Sequence, residues 1–130
     1  MQNILSNQWL AVALGGSCGA VCRYFIASQL FTNVAGRLPL ATISVNLLGS
    51  ALIGIAYVFI VEKSGLSLEW RNLIMAGFLG AFTTFSTFAL EALSLWQSNQ
   101  HSLAISYVLI NVIGSLLCVF IGAQLAMKIF

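Results

Sequence analysis

The sequence predicts an all-α membrane protein of four transmembrane helices, and three observations carry that prediction. The chain is 60% hydrophobic and 6% charged, with a mean hydropathy of +1.00, whereas a soluble domain needs about a quarter of its residues charged to cover its surface. Its apolar residues fall into four runs, each long enough for a hydrocarbon core of about 30 Å, which takes about 20 residues of helix. The interruptions between the runs are short and carry turn-forming residues. Five Lys or Arg and three Asp or Glu in 130 residues exclude a disordered chain, a soluble enzyme and a basic nucleic-acid binder.

The first helix is placed over residues 8–31. Met1–Asn7 lacks Lys and Arg, and the apolar stretch beginning at Trp9 exceeds the core of a cleaved signal, so this run reads as a membrane helix. The second helix follows over 38–61, after Asn33-Val34-Ala35-Gly36-Arg37 and before Glu62-Lys63-Ser64-Gly65. The third covers 70–96, and the fourth 103–129 after Gln97-Ser98-Asn99-Gln100-His101-Ser102. The whole chain, 1–130, is thus one four-helix transmembrane domain. Trp9, Trp70 and Trp96 stand at helix ends, where indoles favour the membrane interface. Cys18, Cys22 and Cys118 are an odd set without a His or carboxylate cluster and read as small packing residues.

Charge gives little direction to insertion. Lys63, Arg71 and Lys128 share one side; Arg37, and Arg23 if it reaches the end of its helix, share the other. That near balance fits either a modest orientational preference or insertion of copies both ways. Four short helices also have little interior in which to hide polar groups, so association with a second copy is expected, most simply with two-fold symmetry.

Small and polar residues form a stripe along each helix. Gly15, Gly16, Gly19 and Arg23 lie on the first; Thr42, Asn46, Gly49, Ser50 and Gly54 on the second; Tyr107, Asn111, Gly114, Ser115, Cys118 and Gly122 on the fourth. Close helix packing accounts for most of the glycines. It accounts less well for Asn46, Arg23 and Glu91, because polar and ionisable groups at depth need water or a partner.

The third helix reads Gly77-Phe78-Leu79-Gly80-Ala81-Phe82-Thr83-Thr84-Phe85-Ser86-Thr87-Phe88-Ala89-Leu90-Glu91. Two glycines, then hydroxyl residues interleaved with phenylalanines, are poor helix material and point to a break near Gly80 to Thr84, mid-membrane. Unwound backbone at that depth must be buried in protein or face water or an ion. Its carbonyls would offer a cation site, as in discontinuous transporter helices. Beyond the break, Thr84, Phe88 and Glu91 share one face, with Phe85 beside Phe88. An aromatic packing face whose hydroxyls bond back to the helix is the competing explanation.

These motifs resemble those of the Fluc (CrcB) family of fluoride channels over essentially all four helices. The strongest part is Gly77-Phe78-Leu79-Gly80 with Thr83-Thr84-Phe85-Ser86-Thr87-Phe88 and Glu91, supported by Gly15-Gly16-Ser17, Arg23-Tyr24, Val45-Asn46-Leu47 and Gly114-Ser115. The resemblance implies an antiparallel, dual-topology homodimer in the cell (inner) membrane, with two fluoride pores and a broken third helix. It implies a structural sodium ion held by the backbone carbonyls of Gly80 and Thr83, contributed twice by symmetry. Phe85 and Phe88 would face the anion with their ring edges, Asn46 and Arg23 would serve pore and vestibule, and Tyr107 and Ser115 would add polar lining. Thr42, Thr84, Thr87 and Glu91 would complete the ion pathway. Partners are then a second copy, fluoride and lipid, with no nucleic acid and no catalysis.

The physics of the residues is compatible with that function. Phenyl edges are positive and greet an anion without a fixed charge. Fluoride holds its water strongly, so a pore must offer donors such as the Asn46 amide and Ser or Thr hydroxyls, while binding weakly enough to release. The alternative is a small four-helix proton-coupled drug exporter. It would need an acidic residue in the first helix, which holds none; Glu91 lies in the third.

Overall fold

The structure, a computed structural model, describes residues 2–30 and 38–130; the predicted turn over 33–37, with Arg37, lies outside them. Helix α1 runs over Gln2–Phe25 and continues as a wider π-helical turn over Ile26–Leu30. Helix α2 covers Leu40–Ala56 and is extended by π-helical Tyr57–Lys63. The third span holds α3 (Leu68–Arg71), a π-helical stretch over Asn72–Leu79, α4 (Gly80–Phe82) and α5 (Phe85–Gln97). Helix α6 covers His101–Ile129. Among the described residues, four helical stretches are thus long and apolar enough to cross a membrane: Asn7–Gln29, Leu40–Lys63, Leu68–Gln97 and His101–Ile129.

The turns are tighter than the sequence suggests. The second helix persists to Lys63 and the third begins at Leu68, because the reversal is concentrated at Gly65, whose φ of 59° is the left-handed geometry that glycine adopts freely. Helix α6 begins at His101, two residues before the expected start, because Asn99 alone supplies the positive φ of 59° that ends the third span. Asparagine is the usual substitute for glycine in that role.

The spans pack as two close pairs, α1 against the third span and α2 against α6, with α5 also reaching α6. Glycine explains both pairings. A Cβ on Gly15 would overlap the Leu73 carbonyl oxygen, and one on Gly19 the Phe78 carbonyl oxygen. On the other pair, a Cβ on Gly54 would overlap the Val119 carbonyl, and one on Gly122 the Ala51 carbonyl. Both crossings bring backbone against backbone, the small-residue packing that holds membrane helices together. Gly54→Leu or Gly122→Leu should therefore lower stability by about 1–3 kcal/mol or more, since rigid backbone cannot yield as a side chain would. Gly114→Ala, meeting only the Leu47 side chain at 3.4 Å or beyond, should be tolerated. Thermal unfolding in detergent checks the contrast.

One expectation needs correcting. Cys18 and Cys22 are exposed on the subunit and Cys118 is half-buried; none is a core packing residue. Gly15 and Gly19 take the packing face of α1, with Cys18 at its edge beside Leu73, Ile74 and Phe78. The tryptophans Trp9, Trp70 and Trp96 are likewise exposed at the ends of their spans.

Candidate functional site

The site is built around two residues of the third span. Helix α4 ends at Phe82, which is buried and stacked on Phe78 with ring centroids 5.8 Å apart. Thr83 and Thr84 then adopt extended backbone, with φ/ψ of −84°/158° and −150°/117°. Gly80 keeps helical dihedrals (φ −63°, ψ −35°). Thr83 closes the preceding helix: its N–H and its Oγ1 both donate to the Leu79 carbonyl at 3.1 Å. Thr84 opens the next, its Oγ1 accepting the Thr87 N–H at 3.2 Å as an N-cap. The same hydroxyl donates to Thr87 Oγ1 at 3.0 Å.

The backbone of Thr84 is paired across the bundle. Its N–H donates to Asn46 Oδ1 at 2.8 Å, and its carbonyl accepts from Asn46 Nδ2 at 3.1 Å. The Asn46 amide thus replaces a peptide group for a residue that has left the helix, and that satisfies polar backbone at a depth where water is scarce. Nδ2 also donates to Asn111 Oδ1 at 3.0 Å, and Asn111 Nδ2 donates to the Tyr107 carbonyl at 3.1 Å. An amide nitrogen has two hydrogens. Both hydrogens of Asn46 therefore have acceptors within the protein, so the expectation that Asn46 supplies a donor directly to an anion does not describe this geometry.

A cavity of about 340 Å³ opens beside this network, lined among others by Asn46, Ser50, Thr83, Thr84, Phe85, Phe88, Asn111 and Ser115. Phe85 and Phe88 meet edge to face, with centroids 5.2 Å apart and planes at 65°. They differ in setting: Phe88 is 6% exposed, whereas Phe85 is 76% exposed on the single subunit. A smaller cavity of about 140 Å³ is lined by Arg23, Thr42, Thr84, Thr87 and Glu91, with Ala27, Ala41 and Val45. Arg23 is held there by donation from Nε to the Ala81 carbonyl at 3.0 Å. Thr84 lines both cavities, so the extended pair sits between them.

Of the residues singled out from sequence, Asn46, Thr84, Phe85, Phe88 and Ser115 meet at the larger cavity, and Arg23, Thr42, Thr87 and Glu91 join Thr84 at the smaller one. Tyr107 lines neither of these two. It is fully buried, its ring 5.4 Å from Phe88 and its hydroxyl donating to Glu91. Its place is behind the lining, because the helical register of α6 turns it toward α5. Ser50 and Asn111 are lining residues that sequence reasoning left without a role. The signal for Asn111 was its position four residues from both Tyr107 and Ser115, on one helical face.

Hydroxyls and phenyl rims can take up a small anion, with one guanidinium nearby and a carboxylate whose oxygen is engaged by a phenol. Nothing in this set resembles a nucleophile–base pair. The fold and site define a multi-pass membrane protein with a polar, aromatic-rimmed cavity beside an extended segment of its third span. Residues 10–123 match the family described as CrcB-like protein, Camphor Resistance (CrcB), and the chain belongs to that family. It is 52% identical over 121 residues to a protein of Saccharophagus degradans named fluoride-specific ion channel FluC, covering 93% of this chain and 90% of that one. A protein of the same name from Hahella chejuensis is 54% identical over 115 residues, 88% of this chain and 90% of the other. Fluoride-specific ion channel FluC 2 of Listeria innocua is 41% identical over 121 residues, 93% and 92% of the two chains.

Proposed function

We propose that the protein is a fluoride-selective channel of the cell's inner membrane, passing fluoride passively down its electrochemical gradient. The observation that carries this reading is the joining of hydroxyls and an edge-to-face phenylalanine pair around one cavity at Thr83–Thr84. Ring edges supply positive potential without fixed charge, and neutral hydroxyls such as Ser50 and Ser115 replace water around fluoride while letting it leave. Arg23 raises the local anion concentration at the smaller cavity. No step calls for chemistry on a bond, so the function is transport and not catalysis.

In this reading two subunits insert antiparallel and form two pores. The near balance of Lys63, Arg71 and Lys128 against Arg23 and Arg37 supports insertion both ways. The 76% exposure of Phe85, at a cavity open to one side, supports a second copy completing the lining. The third helix acts as a broken helix, and its loose end suits a structural sodium ion. The Thr84 N–H, which would close the next helical bond onto the Gly80 carbonyl, donates to Asn46 instead. Backbone oxygens at Gly80 and Thr83 are the hard donors such an ion takes. Sodium would supply positive charge that draws two such segments together at the dimer centre.

Purified protein in liposomes tests the reading. Fluoride should leave loaded vesicles far faster than chloride, with no requirement for a proton gradient. Efflux no faster than from protein-free vesicles would overturn it. Cysteine crosslinking should yield antiparallel pairs; parallel pairs alone would remove the shared cation site.

A further inference from the structure

The polar chain running from α6 to the third span has a direction, and each link fixes the next. The Tyr107 carbonyl can only accept, so Asn111 must turn Nδ2 toward it, at 3.1 Å. That leaves Asn111 Oδ1 facing Asn46, which must answer with Nδ2, at 3.0 Å. Asn46 Oδ1 is then turned to the Thr84 N–H, at 2.8 Å, and Nδ2 also meets the Thr84 carbonyl, at 3.1 Å, so the contacts from Asn111 and from Thr84 favour one orientation. Reversing Asn111 would set like against like at two contacts, and reversing Asn46 at three, in surroundings where unpaired polar groups are costly. Asn111 is 3% exposed, and among the described residues no enclosed side-chain nitrogen or oxygen lacks a hydrogen-bond partner.

We infer that Asn111 is a positioning residue of the channel: anchored on the Tyr107 carbonyl, it braces the Asn46 amide against the Thr84 backbone, and that amide in turn keeps the Thr84 N–H away from the helix. Asn111 acts at the extended segment, 27 residues away in sequence, without touching it. The role rests on the channel reading for its transport consequence, but its geometric claim stands apart from it. With Asn111 absent, the Asn46 amide keeps its pairing with the Thr84 backbone but loses the contact that braces it from α6, so the Thr84 N–H turns back toward the Gly80 carbonyl more readily.

Asn111→Leu, of similar size and without polar atoms, is the test, read by two measurements on the full-length protein in detergent and in liposomes. Amide hydrogen exchange of a peptide containing Thr84 should rise by about tenfold, since the partner of its N–H is no longer braced, while exchange over the α1 packing face at Gly15–Gly19 stays as in wild type. Fluoride efflux should fall by about tenfold. In a double-mutant cycle, adding Asn46→Ala to Asn111→Leu should change exchange at Thr84 by less than about twofold beyond Asn46→Ala alone. If Asn111→Leu does not assemble, Asn111→Ser, whose hydroxyl is too short to reach Asn46, carries the same expectations. Unchanged exchange at Thr84, or losses that simply add in the cycle, would overturn the inference. Absence of fluoride efflux in wild type would overturn the channel reading instead, with the exchange results still deciding the role of Asn111.

Discussion

Phe85→Ala should reduce fluoride efflux by about tenfold or more while leaving the subunit's own packing intact. An edge-on aromatic interaction contributes about 0.5–1.5 kcal/mol, and 1.4 kcal/mol is about a factor of ten. Phe85 also forms one wall of the cavity, so its loss removes both the positive rim and the shape. The ring is 76% exposed on the subunit, hence truncation leaves little internal void. Phe88 makes the contrast. It is 6% exposed and wedged between Phe85 and Tyr107, so Phe88→Ala should cost about 3–5 kcal/mol of packing as well as flux. Efflux and thermal unfolding measured on both variants separate the two effects: flux lost without stability at Phe85, both lost at Phe88. Wild-type flux in Phe85→Ala would show that the ring is no part of the pathway.

Asn46→Ala should abolish measurable transport, a loss of about a hundredfold or more. Three hydrogen bonds disappear together, to the Thr84 N–H, the Thr84 carbonyl and Asn111 Oδ1. Each buried group left unpaired costs about 1–3 kcal/mol, and the chain's cheapest remedy is to wind Thr84 back into the helix. That would withdraw Thr84 from both cavities at once. Asn46→Asp should fail too: an ionised carboxylate still accepts from the Thr84 N–H, but it has no hydrogen for Asn111 and sets negative charge beside the proposed anion path. Efflux assays on both, with far-ultraviolet circular dichroism to register added helix in Asn46→Ala, check the expectation.

Much of this was legible because membrane helices advertise themselves. Four apolar runs and the glycines at 15, 19, 54 and 122 needed only hydropathy and spacing to be read, and the glycines do meet backbone where helices cross. The ends were less legible: Lys63 and His101 are helical because single left-handed residues, Gly65 and Asn99, make the reversals, and sequence does not say how few residues a turn will use. Cys18 and Cys22 were misjudged because composition does not reveal which face of α1 meets the third span. The cluster at Thr84 was readable as residue types, but not as bonds. Whether Asn46 faces an anion or the backbone depends on the register of α2 against α5 and α6, and only the coordinates give it. Asn111 carried the right spacing, yet its meaning required knowing that the Tyr107 carbonyl lies within reach.

The central claim is that the cavity at Thr83–Thr84 is a passive path for fluoride. The most direct measurement is the reversal potential of the purified protein in a planar bilayer, with fluoride unequal and chloride equal on the two sides. The current should reverse at the equilibrium potential of fluoride and stay there when a pH difference is imposed. Reversal that ignores the fluoride gradient, or that follows the pH difference as a proton-coupled exchanger would, contradicts it.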